Sequence, residues 1–136
     1  MLGHILIVDD NPIDLKLASA ALEVGEFNVD VAADAEQAQD MLPSMLPDLI
    51  LIDIALPGID GLSLTRIVKA DPRLRHVPVV ALTAFAMQGD DERAAAAGCV
   101  GYITKPINPR RFAGQILDIL NAARSGAQKA SAPAGE

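Results

Sequence analysis

The 136-residue chain reads as an α/β protein, a doubly wound five-stranded parallel sheet with helices on both faces. Three observations predict this. Short apolar runs such as His4-Ile5-Leu6-Ile7-Val8 and Leu49-Ile50-Leu51-Ile52 have strand length but no polar alternation, which marks strands covered on both sides. Segments with helical apolar spacing separate them. The two kinds alternate strictly, and that pattern requires right-handed crossovers between parallel neighbours.

Taken in order, His4–Val8 is the first strand and runs into Asp9-Asp10. Asn11-Pro12 supplies an N-cap and a proline at the first helical position, and Leu15, Ala18, Ala21 and Leu22 form the helix's apolar stripe up to Gly25. Phe27 to Val31 alternates, as a strand with one partly exposed face does. Asp34 caps a helix carrying Ala38, Met41, Leu42 and Met45, whose length is limited by Pro43 and Pro47. The third strand, from about Asp48, ends at Asp53 before a Pro57-Gly58 turn. A helix from Gly61 points Leu64, Ile67 and Val68 inward and stops at Asp71-Pro72. Pro78 to Leu82 is a strand ending at Thr83. Asp90 to Ala97 is an alanine-rich helix closed by Gly98. Cys99 to Thr104 is the fifth strand and leads into Lys105-Pro106. Asn108-Pro109 opens a last helix with Phe112, Ile116, Ile119 and Leu120 on one face. Residues 1–124 form one domain, and the Ala/Ser/Gly/Pro tail 125–136, with nothing to bury, is expected to be disordered.

Composition narrows the function. Hydrophobic residues make up 51% and aromatics 3%, so the core is aliphatic and needs no staples. A net charge of -7 argues against direct nucleic-acid binding, which needs a basic surface. One cysteine, Cys99, cannot form an intrachain disulfide, and a small buried hydrophobe is its commoner role. No apolar run approaches the roughly 18 residues of a membrane span, and the N-terminus lacks a basic leader region. A cytoplasmic protein is expected.

In a parallel sheet all strand ends of one polarity share an edge, and open α/β folds bind their ligands there. Four of the five ends carry reactive groups: Asp9 with Asp10, Asp53, Thr83 and Lys105. Carboxylates suit a hard divalent cation such as Mg²⁺, with Asp10, Asp53 and a backbone carbonyl just beyond Asp53 as ligands. Lys105 offers a point charge and Thr83 a donor to phosphoryl oxygens, and Asp53 can act as nucleophile toward phosphorus.

Ile7-Val8-Asp9-Asp10-Asn11, the run from Asp53 to Gly61, Leu82-Thr83-Ala84 and Tyr102-Ile103-Thr104-Lys105-Pro106 together resemble the receiver domain of two-component response regulators, the CheY-like superfamily. The run Thr83 to Met87 with Gly98-Cys99 is similar to single-domain cell-cycle-type regulators and to hybrid-kinase receivers. The resemblance implies a flavodoxin-like (βα)5 fold with strand order 2-1-3-4-5. It implies that Asp53 accepts a phosphoryl group from a histidine kinase or a histidine phosphotransfer protein. Mg²⁺ would be bound by Asp10, Asp53 and the Ala55 carbonyl, with Asp9 helping through water. Thr83 and Lys105 would hold the phosphoryl oxygens, Lys105-Pro106 would be cis, and Tyr102 would switch inward with Thr83. Such a regulator assists its own phosphorylation and dephosphorylation but has no independent substrate. Ala55 and Phe85 are expected to tune phosphoryl lifetime, an expectation that fails if Ala55→Asn and Phe85→Ala leave dephosphorylation unchanged.

A stand-alone regulator, monomeric or weakly dimeric, would signal through a protein surface built from residues 91–123. A receiver excised from a transcription factor or hybrid kinase is the alternative. An aspartate-nucleophile phosphatase is disfavoured because Ala55 stands where those enzymes need a second acid, and a flavin-type binder because the first turn has no phosphate-cradling glycines.

Overall fold

The computed structural model describes residues 2–56, 58–83 and 89–131, with side chains through residue 124. Five strands alternate with five helices: β1 (His4–Val8), α1 (Pro12–Val24), β2 (Asn28–Ala32), α2 (Ala35–Met45), β3 (Leu49–Asp53), α3 (Gly61–Ala70), β4 (Val79–Thr83), α4 (Asp90–Ala97), β5 (Gly101–Thr104) and α5 (Pro109–Ser131). The sheet runs β2-β1-β3-β4-β5, and every pairing is parallel.

The unalternating strands of the sequence are explained by two cores, one on each face. Ile5, Ile7, Leu49, Leu51, Val80 and Leu82 face α1 and α5, where they meet Ala18, Leu22, Phe112, Ile116 and Leu120. Their sequence neighbours Leu6, Val8, Ile50, Ile52 and Val79 point the other way, onto Ala38, Leu42, Leu64 and Val68 of α2 and α3. Successive strand residues alternate faces, so a strand buried on both sides must be apolar at every position. β3 lies third in the sheet and is buried along its whole length. The edge strands are the ones with exposed polar positions, Asn28 and Asp30 on β2 and Thr104 on β5.

The caps hold the helices where the strands deliver them. Asn11 Oδ1 accepts from the amides of Ile13 and Asp14 at 2.9 and 3.2 Å. Asp34 and Asp60 each take an amide three residues on, at 2.8 Å. Asn108 accepts from the amide of Arg110 at the start of α5. At Gly61 a Cβ would lie 2.2 Å from the Asp53 carbonyl oxygen and 2.7 Å from the Ile54 Cα. Only glycine lets α3 start this close to the end of β3.

One sequence expectation is corrected. Ile67 is 44% exposed rather than inward. The buried face of α3 is centred on Gly61, Leu64, Thr65 and Val68, which turns Ile67 to the side of a groove shared with Leu42, Pro43 and Leu74. Thr65 joins that buried face because its hydroxyl is satisfied by the Gly61 carbonyl at 2.8 Å. Helix α5 runs to Ser131. Ala122, Ala123, Ala127, Gln128, Lys129 and Ala130 are good helix formers, and adding residues to an existing helix needs no new nucleus and no burial. Residues 132–136 lie outside the described residues.

Candidate functional site

The parallel topology brings the ends of β1, β3 and β4 and the residue after β5 to one edge. There Asp9, Asp10 and Asp53 each present a carboxylate oxygen, all within 4.8 Å of one another. Asp9 is 1% and Asp53 6% exposed, whereas Asp10 is open to solvent. The two buried carboxylates are held alike. Asp53 Oδ1 accepts from the Ala55 amide at 2.9 Å, and Asp9 Oδ1 accepts from the Asn11 amide at 3.0 Å. Each is an aspartate whose own chain turns back two residues on to satisfy one oxygen. The other oxygen of each goes to Lys105, whose Nζ lies 2.7 Å from Asp9 Oδ2 and 2.9 Å from Asp53 Oδ2.

Lys105 is placed by its backbone. Its amide donates to the Thr83 carbonyl at 2.7 Å, which ties the β5 exit to the end of β4, and the Lys105–Pro106 peptide is cis. Thr83 is 3% exposed and pairs in register with Thr104. Its position at the end of β4, beside β3, puts it on the same edge as Asp53.

One member of the cluster was missed by the sequence reading. Asp14, in the first turn of α1, stands 3.0 Å from Lys105 Nζ. Its only trace in the sequence is its place in the first turn of the helix that follows Asp9-Asp10.

Burial pushes the Asp9 carboxyl above the usual range, against the opposing pull of Lys105 and of the Asn11 amide. Burial would likewise lower Lys105, but its bonds to Asp9, Asp53 and Asp14 outweigh that and hold the ammonium well above an ordinary lysine. Three carboxylates thus face one ammonium, with the Asp10 carboxylate beside them. An all-oxygen donor set with excess negative charge is the chemistry that a hard divalent cation fits.

Other expected residues lie further out. Tyr102 is half-buried on β5, opposite Ala81, and lines a hollow of about 200 Å³ with Asp91, Ala95 and Val100. Ala55 is exposed. Phe85 lies outside the described residues. Cys99 packs against the core near the Thr65 hydroxyl, and burial raises its thiol, which keeps it protonated and unreactive.

An acidic cluster tied to one lysine at the carboxyl edge of a 2-1-3-4-5 sheet defines a signal-receiving domain of two-component systems. Comparison with known proteins agrees: the family model described as response regulator receiver domain matches residues 5–117. The chain belongs to that family, whose members are signalling regulators rather than classical enzymes. It is similar to the polar-differentiation response regulator DivK of Brucella ovis, 42% identical over 123 residues that make up 90% of this chain and 100% of the relative. Among solved structures it resembles a CheY-like response regulator receiver domain protein from Methanospirillum hungatei JF-1, with TM-score 0.83 and 28% identity over 93% of this chain and 99% of that one. It also resembles the signal receiver domain of a histidine kinase from Syntrophus aciditrophicus, with TM-score 0.77 and 28% identity over 98% of each chain. No helix among the described residues is long and apolar enough to cross a membrane.

Proposed function

We propose that Asp53 is the phosphoacceptor of a stand-alone regulator, taking a phosphoryl group from a phosphohistidine on a histidine kinase or phosphotransfer protein in the cytoplasm. One observation carries this reading. Asp53 is buried at the carboxyl edge with one oxygen on a backbone amide and the other on Lys105, inside the acidic cluster. In the transfer an Asp53 carboxylate oxygen bonds to phosphorus as the phosphorus–nitrogen bond of the donor breaks. The imidazole, protonated at its other ring nitrogen, leaves neutral. The protein's part is to position the groups and spread charge.

Lys105 moves one of its N–H donors from the carboxylate to a phosphoryl oxygen, and the Thr83 hydroxyl serves another. Asp10, Asp53 and the Ala55 carbonyl would hold Mg²⁺, with Asp9 acting through water; when bound, the ion neutralises charge on the phosphoryl oxygens. Thr83 turning toward the new charge would draw Tyr102 inward and alter the surface of residues 91–123, where a downstream protein binds.

The test is intact mass after incubation with Mg²⁺ and a small phosphodonor. One added phosphoryl group that is absent in Asp53→Asn supports the reading. An adduct that persists in that variant, or none with any donor or kinase, overturns it.

A further inference from the structure

We propose that Asp14 is a positioning residue, the third anchor that fixes where the Lys105 ammonium stands before and after Asp53 is modified; this rests on the phosphoacceptor reading above. An ammonium has three N–H donors and no acceptor. Each of the three donors of Lys105 has its own carboxylate: Asp9 at 2.7 Å, Asp53 at 2.9 Å and Asp14 at 3.0 Å. The three acids come from different elements, the β1 exit, the end of β3 and the first turn of α1. Together they leave the head of a flexible side chain one place to be.

The anchors are not equivalent. When Asp53 carries a phosphoryl group its bond to Lys105 is re-formed with a phosphoryl oxygen. Asp9 and Asp14 are then the two fixed legs. Asp9 is enclosed, with a side chain 1% exposed, whereas that of Asp14 is 36% exposed. Asp9 alone holds the ammonium at one point and leaves it free to swing. Asp14, on the α1 side, removes that freedom, so Lys105 meets the phosphoryl oxygen without a rotamer search.

Asp14 has a competing structural role. It is the acidic residue of the first turn of α1, where a negative charge favours the helix dipole. The experiment separates the two. Phosphorylation by a small phosphodonor with Mg²⁺ is timed at high ionic strength, where general repulsion between Asp14 and the incoming anion is screened. Asp14→Asn is expected to slow it roughly two- to five-fold, the range of a partly exposed ion pair. Asp14→Asn combined with Ile13→Glu returns an acid to the first turn at an exposed position and is expected to stay slow. Independently, nitrogen NMR of the unphosphorylated protein reads the Lys105 ammonium, whose proton exchange should speed up in Asp14→Asn. Rescue of the rate by Ile13→Glu, or an ammonium signal unchanged in Asp14→Asn, overturns the proposal. A wild-type chain that takes no phosphoryl group overturns the phosphoacceptor reading instead, and the ammonium signal still reports whether Asp14 holds Lys105.

Discussion

Replacing Lys105 by methionine keeps the bulk of the aliphatic stem and removes the charge that three carboxylates share. The leg to Asp14 is partly exposed and contributes no more than about 1 kcal/mol. The legs to Asp9 and Asp53 are different, because those side chains are 1% and 8% exposed. Removing one partner of a buried pair leaves uncompensated charge and costs about 3–5 kcal/mol. The cluster opens to water at Asp10, so the lower end, about 3 kcal/mol, is expected at pH 7. For a domain of this size that is a fall in Tm of about 10 °C.

The deficit must depend on pH, with a definite sign. Burial already raises the Asp9 carboxyl and Lys105 opposes it, so in Lys105→Met the carboxyl rises further. A carboxyl raised by folding loses stability as pH climbs from its unfolded value through its folded one, so the variant is least handicapped in acid. The wild type has a second window at the alkaline end. The Lys105 value is raised by folding, so its contribution is complete below about pH 10.5 and is lost as pH rises beyond that, a loss absent from Lys105→Met. Urea denaturation followed by far-ultraviolet circular dichroism suits a chain with no tryptophan and one tyrosine. A variant within about 1 kcal/mol of wild type at pH 7, or a deficit that does not shrink on acidification, would refute the claim that the buried carboxylates depend on this ammonium.

Two further outcomes follow from the same geometry. Gly61→Ala sets a methyl against the Asp53 carbonyl and the Ile54 backbone; it should cost about 2 kcal/mol or more in urea denaturation, and it should slow phosphorylation by shifting the end of β3. Mg²⁺ should raise Tm by mass action, about 2.7 kcal/mol of added stability at a hundred times Kd, and Asp10→Asn should abolish most of that rise; an equal rise in the variant would place the ion elsewhere.

Much of this molecule was legible in one dimension. The apolar runs ending at Asp9, Asp53 and Thr83 identified strands covered on both faces, because period-two geometry leaves no other use for an unbroken aliphatic run. Asn11, Asp34 and Gly98 marked helix ends, because capping chemistry is local. Once the strands were taken as parallel, the gathering of Asp9, Asp10, Asp53, Thr83 and Lys105 on one edge followed from topology alone.

What the sequence could not decide depends on directions and distances between elements. Periodicity placed Ile67 inward, but the orientation of α3 was decided by the close approach at Gly61 and by the hydroxyl of Thr65 finding a carbonyl within its own helix. Asp14 is the clearest case. In the chain it is one acid among 18 Asp and Glu residues, 91 positions from Lys105. Only the packing of α1 beside the exit of β5 brings the two to 3.0 Å and turns a helix-terminus charge into the third anchor of the site's lysine.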